Sequence, residues 1–338
     1  MRVLMITSEW PTPDQPHWVP FIVRQVEFLR KAGVDIDVFA FRGAKNPLNY
    51  LRAWYRVHKK LRQISYDLVH AQWAQSALTA LPTRLPLVVT FRGGEVKGIV
   101  GSGGKYRVIG HVLRFLSYAI ARRADEVILV SGHMEEHLPH RPFHILPSGL
   151  DLSMFPLMPQ DQARKQLGLP AWKRLVLFAA NPSDARKRYS LAREIVSRLD
   201  SGLEAELVLA WGVPHNQIYM YMNACDALLV TSMYEGSPNV VKEALACNLP
   251  IISAAVGDVS QRLSGIPGCS VHPDNDPDRM AAALATVLQR KERAGGRTAV
   301  RDLDENILAL RMTEIYRNAV SKTSQYRLNK TASDWSRR

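Results

Sequence analysis

The sequence predicts an α/β protein with two domains, each built on a parallel β-sheet. Short apolar runs rich in β-branched residues recur along the chain, and polar residues and a helical pattern follow them. The two halves repeat this layout, and 338 residues are more than one hydrophobic core usually organises. We expect an N-terminal domain over 1–156, a C-terminal domain over 157–320 and a basic tail over 321–338.

The apolar pattern gives the elements in order. The N-terminal half is expected to contain strands over 2–7, 34–41, 67–73, 87–95 and 126–131, and helices over 21–32 and 47–64. The C-terminal half is expected to contain strands over 175–180, 207–212, 226–232 and 249–253, and helices over 277–288 and 304–320. In an open α/β sheet the carboxyl ends of the strands face the ligand crevice. Polar residues just after the strands are therefore the first candidates for binding.

The stretch after the strand over 226–232 carries the clearest chemical signal. It runs from Glu235 to Glu243 and reads Glu-Gly-Ser-Pro-Asn-Val-Val-Lys-Glu. Gly236 permits a tight turn, Ser237 is the expected N-cap of a helix, and Pro238 suits its first position. The pattern therefore predicts a strand-to-helix turn at the binding edge of the second sheet.

A helix start of this kind binds anions. The amides of Asn239 and Val240 would have no partner inside the helix, and the helix dipole favours negative charge there. Glu235 and Glu243 would then lie on either side of the bound anion. Carboxylates repel phosphate but accept hydrogen bonds from sugar hydroxyls. A diphosphate that joins a ribose to a transferable hexose suits this layout.

The motif Glu-x7-Glu, with Gly-Ser-Pro-Asn-Val-Val-Lys between the two acids, resembles the signature of the family 4 retaining glycosyltransferases. The resemblance implies the GT-B fold, in which two Rossmann-like domains face a cleft and a C-terminal helix crosses back to the first domain. It also implies that Glu243 binds the ribose of the nucleotide, that Glu235 contacts the transferred sugar, and that the amides of Asn239 and Val240 hold the diphosphate.

Further donor contacts follow from the same resemblance. The family usually places an Arg after the first strand of the second domain and a Lys six residues later, both on the diphosphate. Here Asn181 replaces the Arg, whereas Lys187 keeps the Lys. Arg186 and Arg188 flank that lysine and are candidates to compensate for the missing charge. Trp211 lies where the family holds the nucleotide base. Lys187 and Glu235 are the expected catalytic residues.

The resemblance also points to an acceptor side in the first domain. The strand over 87–95 ends in Arg92, Gly93 and Glu95, similar to the family pattern of His or Arg, Gly and an acidic residue. His70, in the preceding strand, belongs to the same expected group. One position departs from the pattern, because Val19 stands where many relatives have Gly before the first helix.

The predicted function is retaining transfer of a sugar from a nucleoside diphosphate sugar to a hydroxyl of a lipid-linked or polysaccharide acceptor. The resemblance implies that the reaction needs no metal, so we expect no metal and no cofactor. Two alternatives remain open. A sugar-nucleotide 2-epimerase shares the fold, and a non-catalytic basic membrane-surface protein could use a degenerate form of it. Asn181 in place of Arg favours the second alternative.

The charge of the chain suggests where it works. The net charge is +13, and residues 1–156 hold 20 Lys and Arg against 12 Asp and Glu, a surplus of 8. The helix over 47–64 sets Trp54 and Tyr55 among cations, as at membrane interfaces. We expect peripheral contact with an anionic membrane on its cytoplasmic face, although the pattern also fits a surface helix packed on the sheet. Nucleic acid is not an expected partner, because the aromatic residues are not interleaved with a basic groove pattern.

Overall fold

The computed structural model describes residues 1–15, 18–43, 46–98 and 108–335, with side chains for all of these except 97, 108–109 and 326–335. Two compact units make up the chain. Met1–Gly149 and Glu305–Arg338 form the first, and Leu150–Asp304 forms the second. The predicted two-domain α/β fold is confirmed. The unit boundaries differ from the expected 156/157 and 320/321, because the chain leaves the first unit at Gly149 and returns to it at Glu305.

The first unit is a six-stranded parallel sheet with helices on both faces. Its elements before the crossing are β1 (Arg2–Thr7), α1 (Pro20–Lys31), β2 (Asp35–Ala40), α2 (Pro47–Gln63), β3 (Leu68–Gln72), α3 (Ala74–Ala77), β4 (Leu87–Phe91), α4 (Gly94–Lys97), α5 (Val108–Arg123), β5 (Glu126–Leu129) and β6 (His144–Ile145). The strand order is β2-β1-β3-β4-β5-β6, and every pair is parallel.

The second unit is a five-stranded parallel sheet. Its elements are α6 (Gln160–Leu167), β7 (Arg174–Phe178), α7 (Tyr189–Ser197), β8 (Ala205–Leu209), α8 (Ile218–Ala224), β9 (Ala227–Val230), α9 (Asn239–Ala246), β10 (Ile251–Ala254), α10 (Val259–Leu263), β11 (Ser270–His272) and α11 (Pro277–Arg290). The strand order is β11-β10-β9-β7-β8.

Both faces of the first sheet are buried, which explains why its strands are continuous apolar runs. Val3 and Met5 of β1 pack in a cluster with residues of α1 and of the C-terminal helix. Leu4 and Ile6, which point the other way, pack with residues of α2, α3 and α5. Because successive side chains of a strand point to opposite faces of the sheet, β1 packs against helices on both faces.

The C-terminal helix α12 (Glu305–Trp335) belongs to the first unit. The sequence analysis predicted such a helix, which returns to the first domain. The side chains it buries against that unit recur every three or four residues: Leu308, Ala309, Met312, Ile315, Tyr316 and Ala319. The helix continues to Trp335, so residues 321–335 are helical rather than a separate tail.

Each sheet has one place where the strand order reverses. In the first sheet it lies between β1 and β3, and in the second between β7 and β9. Ligands of open α/β sheets bind outside the carboxyl ends of the strands at such points. The turns that follow β7 and β9 are therefore the expected location of the site in the second unit. Within the described residues, no helix combines the length and the apolar character needed to cross a bilayer.

Candidate functional site

The turn between β9 and α9 contains the first half of the sequence motif. The N-cap of α9 is Pro238 and the helix begins at Asn239, one residue later than predicted. Pro238 has ψ of 120°, outside the helical region, so it cannot occupy the first helical position. The Ser237 hydroxyl does not cap the helix; it donates to Asp258 Oδ2 at 2.8 Å.

The helix start is suited to binding an anion. The first amides of an α-helix have no acceptor within the helix, and in α9 these are the amides of Asn239 and Val240. The Val241 amide reaches back to the Pro238 carbonyl at 3.3 Å. The helix dipole adds positive potential at the same end. The predicted phosphate contacts thus lie beside the reversal of strand order in the second sheet.

A second turn packs tightly on this one. Gly257 has φ of 57°, and a Cβ added there would lie 2.4 Å from the Gly236 carbonyl oxygen. Asp258, which follows it, accepts from the Ser237 hydroxyl and from Arg262 Nε, the latter at 2.6 Å. The sequence analysis did not identify Asp258. Its role is to fix the turn that contains Gly236 and Ser237.

The two predicted catalytic residues are in contact. Lys187 lies in the turn after β7, and its Nζ donates to Glu235 Oε1 at 2.5 Å. The side chains of Lys187 and Glu235 are 24% and 17% exposed, so the pair can be reached from solvent. The structure therefore places a cation in direct contact with the Glu235 carboxylate, in the turn that leads into α9.

Glu243 has a partner that the sequence analysis missed. His215 Nε2 lies 2.9 Å from Glu243 Oε1, and the imidazole packs edge-on against the Phe155 ring with centroids 5.9 Å apart. Glu243 lies in the second turn of α9, as its spacing from Glu235 required. The available signal for His215 was its position soon after β8, at the binding edge of the sheet.

Arg188 is held by the protein itself. Its Nε donates to the Thr231 carbonyl at 2.5 Å, and its Nη2 to Asn275 Oδ1 at 2.8 Å. Burial lowers the pKa of Arg188 from its ordinary value. The guanidinium thus secures the turn after β9, and its proposed contact with a phosphate stays a prediction.

Arg186 and Asn181 are arranged differently from Arg188. The Arg186 guanidinium, half exposed, pairs with Asp184 at 2.6 Å and lies over the Tyr234 ring. Hydrogen bonding to Asp184 is the main reason that the pKa of Arg186 is raised. Asn181 Oδ1 accepts from the Ser183 amide at 2.9 Å, so it shapes its own turn. Arg186 is exposed, whereas Asn181 and Arg188 are partly buried.

Trp211 lies just after β8 and is 54% exposed. A large indole left open to solvent at the binding edge of the sheet is consistent with the predicted stacking on a nucleotide base. The contact itself stays a prediction.

In the first unit, Arg92 is enclosed by neutral and aromatic groups. Its Nη2 donates to Gln72 Oε1 at 2.7 Å and its Nη1 to Ser148 Oγ at 2.9 Å. The guanidinium lies over the rings of Phe21 and Trp73, 4.6 and 5.9 Å from their centroids. Burial lowers the pKa of Arg92 to about 10, against the opposing effect of nearby carboxylates, so it remains charged at neutral pH.

Glu95 and Gly93 shape the turn that presents Arg92. Glu95 Oε1 accepts from the Arg92 amide at 2.7 Å, and the carboxylate side chain is buried. Burial raises the pKa of Glu95. Gly93 has φ of 129°, a conformation that requires glycine. Glu95 therefore supports the loop, whereas the contact of Arg92 with an acceptor stays a prediction.

His70 does not lie at the surface, as the predicted acceptor contact would require. It is fully buried in β3, with Nδ1 2.6 Å from the Tyr316 hydroxyl and Nε2 2.8 Å from Thr90 Oγ1. The prediction of a direct contact does not fit this burial. Instead His70 joins α12 to the first sheet. Burial lowers its pKa to about 3, so the imidazole is neutral in the folded protein.

The depressed pKa of His70 makes stability depend on pH. Because the unfolded chain binds this proton near pH 6.5 and the folded chain only near pH 3, stability falls as the pH drops from about 6.5 towards 3. The slope from this group approaches about 1.4 kcal/mol per pH unit. Urea unfolding of His70→Phe should show a shallower decline than the wild type. His140→Gln, at an exposed site, is the control and should keep the wild-type slope.

Val19, where many relatives have Gly, has φ of 44° and precedes α1. A β-branched residue rarely adopts this left-handed conformation, which Gly adopts freely. The backbone here thus has the conformation typical of Gly, although the sequence has Val.

Two family models match the chain. Residues 1–154 match the family described as Glycosyltransferase Family 4, and residues 169–290 match Glycosyl transferases group 1. TuaC of Bacillus subtilis (strain 168), provisionally assigned to teichuronic acid biosynthesis as a glycosyltransferase, is 25% identical, with 86% of this chain and 89% of TuaC covered.

Solved structures show the same fold. Sucrose-phosphate synthase from Thermosynechococcus elongatus superposes with a TM-score of 0.76 at 19% identity, over 95% of this chain and 99% of that one. Anabaena HepE in complex with UDP and glucose superposes with a TM-score of 0.70 at 15% identity, over 94% and 100%. The likeness establishes the GT-B architecture for this chain. Among the described residues, no group of three or more His, Cys, Asp and Glu is placed to hold a metal ion.

Proposed function

Because the chain belongs to the family 4 glycosyltransferases, we propose that it moves a hexose from a nucleoside diphosphate sugar to a hydroxyl of a lipid-linked or polysaccharide acceptor, with retention of configuration. The observation that carries the proposal is the arrangement at α9. A helix start with unpaired amides, a lysine 2.5 Å from Glu235, and a second carboxylate at Glu243 match the parts of such a donor.

Each part of the donor has a proposed contact. The amides of Asn239 and Val240 and the Lys187 ammonium receive the diphosphate, Glu243 binds the ribose, and Glu235 the hexose. In the transfer, the bond from the anomeric carbon to the diphosphate breaks and a bond to the acceptor oxygen forms on the same face. The acceptor proton passes to the departing diphosphate. Lys187 and the amides stabilise the charge that develops there, so the proposed reaction needs neither metal nor cofactor.

The acceptor is assigned to the first unit. Arg92 stands at the carboxyl end of β4, where ligands of parallel sheets bind, and keeps its positive charge. The proposed acceptor class is supported by relatives: TuaC is assigned to teichuronic acid biosynthesis, and the structurally similar WaaG to lipopolysaccharide biosynthesis.

The experiment is incubation with labelled UDP- and GDP-sugars, chosen by a thermal-shift screen, because a ligand that binds only the folded state raises its apparent stability. Reaction is followed with and without lipid-linked or polysaccharide acceptors. A transferase forms product only when the acceptor is present. Conversion of the sugar nucleotide without acceptor would identify an epimerase instead. Absence of both nucleotide binding and turnover would contradict the donor site.

We also propose that the enzyme works on the inner face of an anionic membrane, to which α2 attaches it. One face of α2, with Ala53 and Val57, packs on the unit. The other exposes Leu48, Leu51 and Tyr55, which are 59%, 62% and 65% exposed. Surface packing and membrane contact are therefore compatible. Trp54 is 38% exposed and donates its Nε1–H to the Leu81 carbonyl at 2.7 Å, so the protein holds one edge of the indole.

The cations of α2 also divide into two groups. Lys60 pairs with Asp37 at 3.0 Å and the Arg56 guanidinium lies over the Phe39 ring, so both contact the protein. Arg52, Lys59 and Arg62 are exposed. Basic residues near an anionic bilayer contribute about 1 kcal/mol each, so three of them and the exposed apolar side chains suffice for reversible attachment.

Sedimentation with liposomes tests the attachment. The bound fraction should rise with anionic lipid content and fall with salt, because charges are screened. Combined Arg52→Gln, Lys59→Gln and Arg62→Gln substitution should lower the partition coefficient by about 10²-fold. Neutralising three exposed cations of the second unit, Lys165, Arg193 and Arg290, is the matched control. A wild-type protein that stays in the supernatant at low salt with anionic liposomes would refute the membrane proposal.

A further inference from the structure

The pair formed by His215 and Glu243 is the strongest feature that the sequence motif does not contain. His215 Nε2 and Glu243 Oε1 are 2.9 Å apart, and the two side chains are 19% and 9% exposed. They lie 28 positions apart in the chain, in a short helix after β8 and in α9. The contact therefore depends on the fold, and it fixes one oxygen of the carboxylate in the proposed donor site.

The imidazole of His215 contacts Phe155 as well as Glu243. Its ring packs edge-on against Phe155, which is fully buried. The Phe155 carbonyl in turn accepts from Arg297 Nη1 at 2.6 Å. A rigid partner of this kind limits the rotamers open to the glutamate. A carboxylate held in one orientation pays less conformational entropy when it binds a ligand.

We propose that His215 is a positioning residue for Glu243 and that the pair makes the donor site select ribonucleotides over 2′-deoxyribonucleotides. The inference rests on the proposed function, in which Glu243 receives the ribose. A fixed carboxylate can accept hydrogen bonds from the vicinal 2′- and 3′-hydroxyls in a defined direction. A 2′-deoxyribose leaves one of these bonds unmade, whereas a carboxylate free to rotate adapts and discriminates less.

Two matched substitutions separate positioning from packing. In His215→Gln the side-chain amide nitrogen stands near the place of Nε2 and can still donate to Glu243. In His215→Asn the amide nitrogen stands nearer to Nδ1 and falls short of the carboxylate. Both lose the ring contact with Phe155, so effects on packing are shared.

The experiment is calorimetric titration with UDP or GDP, whichever binds the wild type, and with its 2′-deoxy form. The measured quantity is the ratio of the affinity for the ribonucleotide to that for its 2′-deoxy form. We expect His215→Asn to lower this ratio by about tenfold, which corresponds to the loss of one hydrogen bond. His215→Gln should keep the ratio within about threefold of the wild-type value. Thermal unfolding of both variants shows that each is folded.

The outcomes distinguish the inference from the donor assignment. If both variants keep the wild-type ratio, or both weaken the two nucleotides equally, His215 acts only in packing and the inference is wrong. If Glu243→Ala leaves both affinities at the wild-type level, the ribose is not bound at Glu243. The proposed donor site then fails, and the inference fails with it.

Discussion

Lys187→Ala should reduce turnover by about 10²- to 10³-fold, the cost of removing one charged donor from a preorganised site. We expect a loss near the upper end of this range, because the site has no second cation at the position where the family usually has an Arg. Asn181 stands there and binds the Ser183 amide, while Arg188 is engaged with the Thr231 carbonyl. The developing charge on the diphosphate would then depend on Lys187 and the α9 amides.

Single-turnover rates with a saturating donor measure the loss. Arg186→Ala is the matched control, since Arg186 is exposed, pairs with Asp184 in the same turn and carries the same charge. It should retain activity within about fivefold. A nearly full rate for Lys187→Ala would show that Arg186, Arg188 or another group holds the phosphate instead. An equal loss in the control would show that Arg186 shares the role given to Lys187.

The fold followed from the sequence because local pattern and tertiary structure agree in both sheets. Apolar strands such as Arg2–Thr7 and Leu87–Phe91 are buried on both faces, so periodicity and burial give the same prediction. The end of the last helix was less predictable. Beyond Ala319, basic residues suggested a tail, yet helical structure continues to Trp335 because a helix already formed adds residues at little cost.

The site was predictable where one stretch of chain contains it and unpredictable where distant turns meet. The positions of Glu235, Glu243 and the first α9 amides follow from the motif itself. Two contacts depend on turns that follow other strands of the sheet: that of His215 with Glu243, and that of Asp258 with Ser237. The prediction for His70 did not fit because the sequence pattern does not show whether a polar residue in a strand contacts a ligand or a buried side chain, here that of Tyr316.

Glu235→Gln should separate binding from turnover, because in the proposed donor site Glu235 and the diphosphate compete for one lysine. In the structure Lys187 Nζ lies 2.5 Å from Glu235 Oε1. A phosphate that takes this ammonium must share it with the carboxylate. Removing the negative charge should leave nucleoside diphosphate affinity unchanged or raise it by up to about fivefold, the value of a partly exposed ion pair. Turnover should fall by about 10²-fold, because the hexose loses a contact that orients it.

Glu243→Gln is the matched variant, with the same change of charge on the other side of the helix start. It should weaken nucleoside diphosphate and nucleotide sugar alike, since both contain the ribose. Calorimetry with the free nucleotide and steady-state kinetics with the nucleotide sugar distinguish the two variants. Equal losses of nucleoside diphosphate affinity would contradict the division of roles. A Glu235→Gln enzyme that binds the free nucleotide much more weakly would mean that Glu235 supports the phosphate site rather than competing with it.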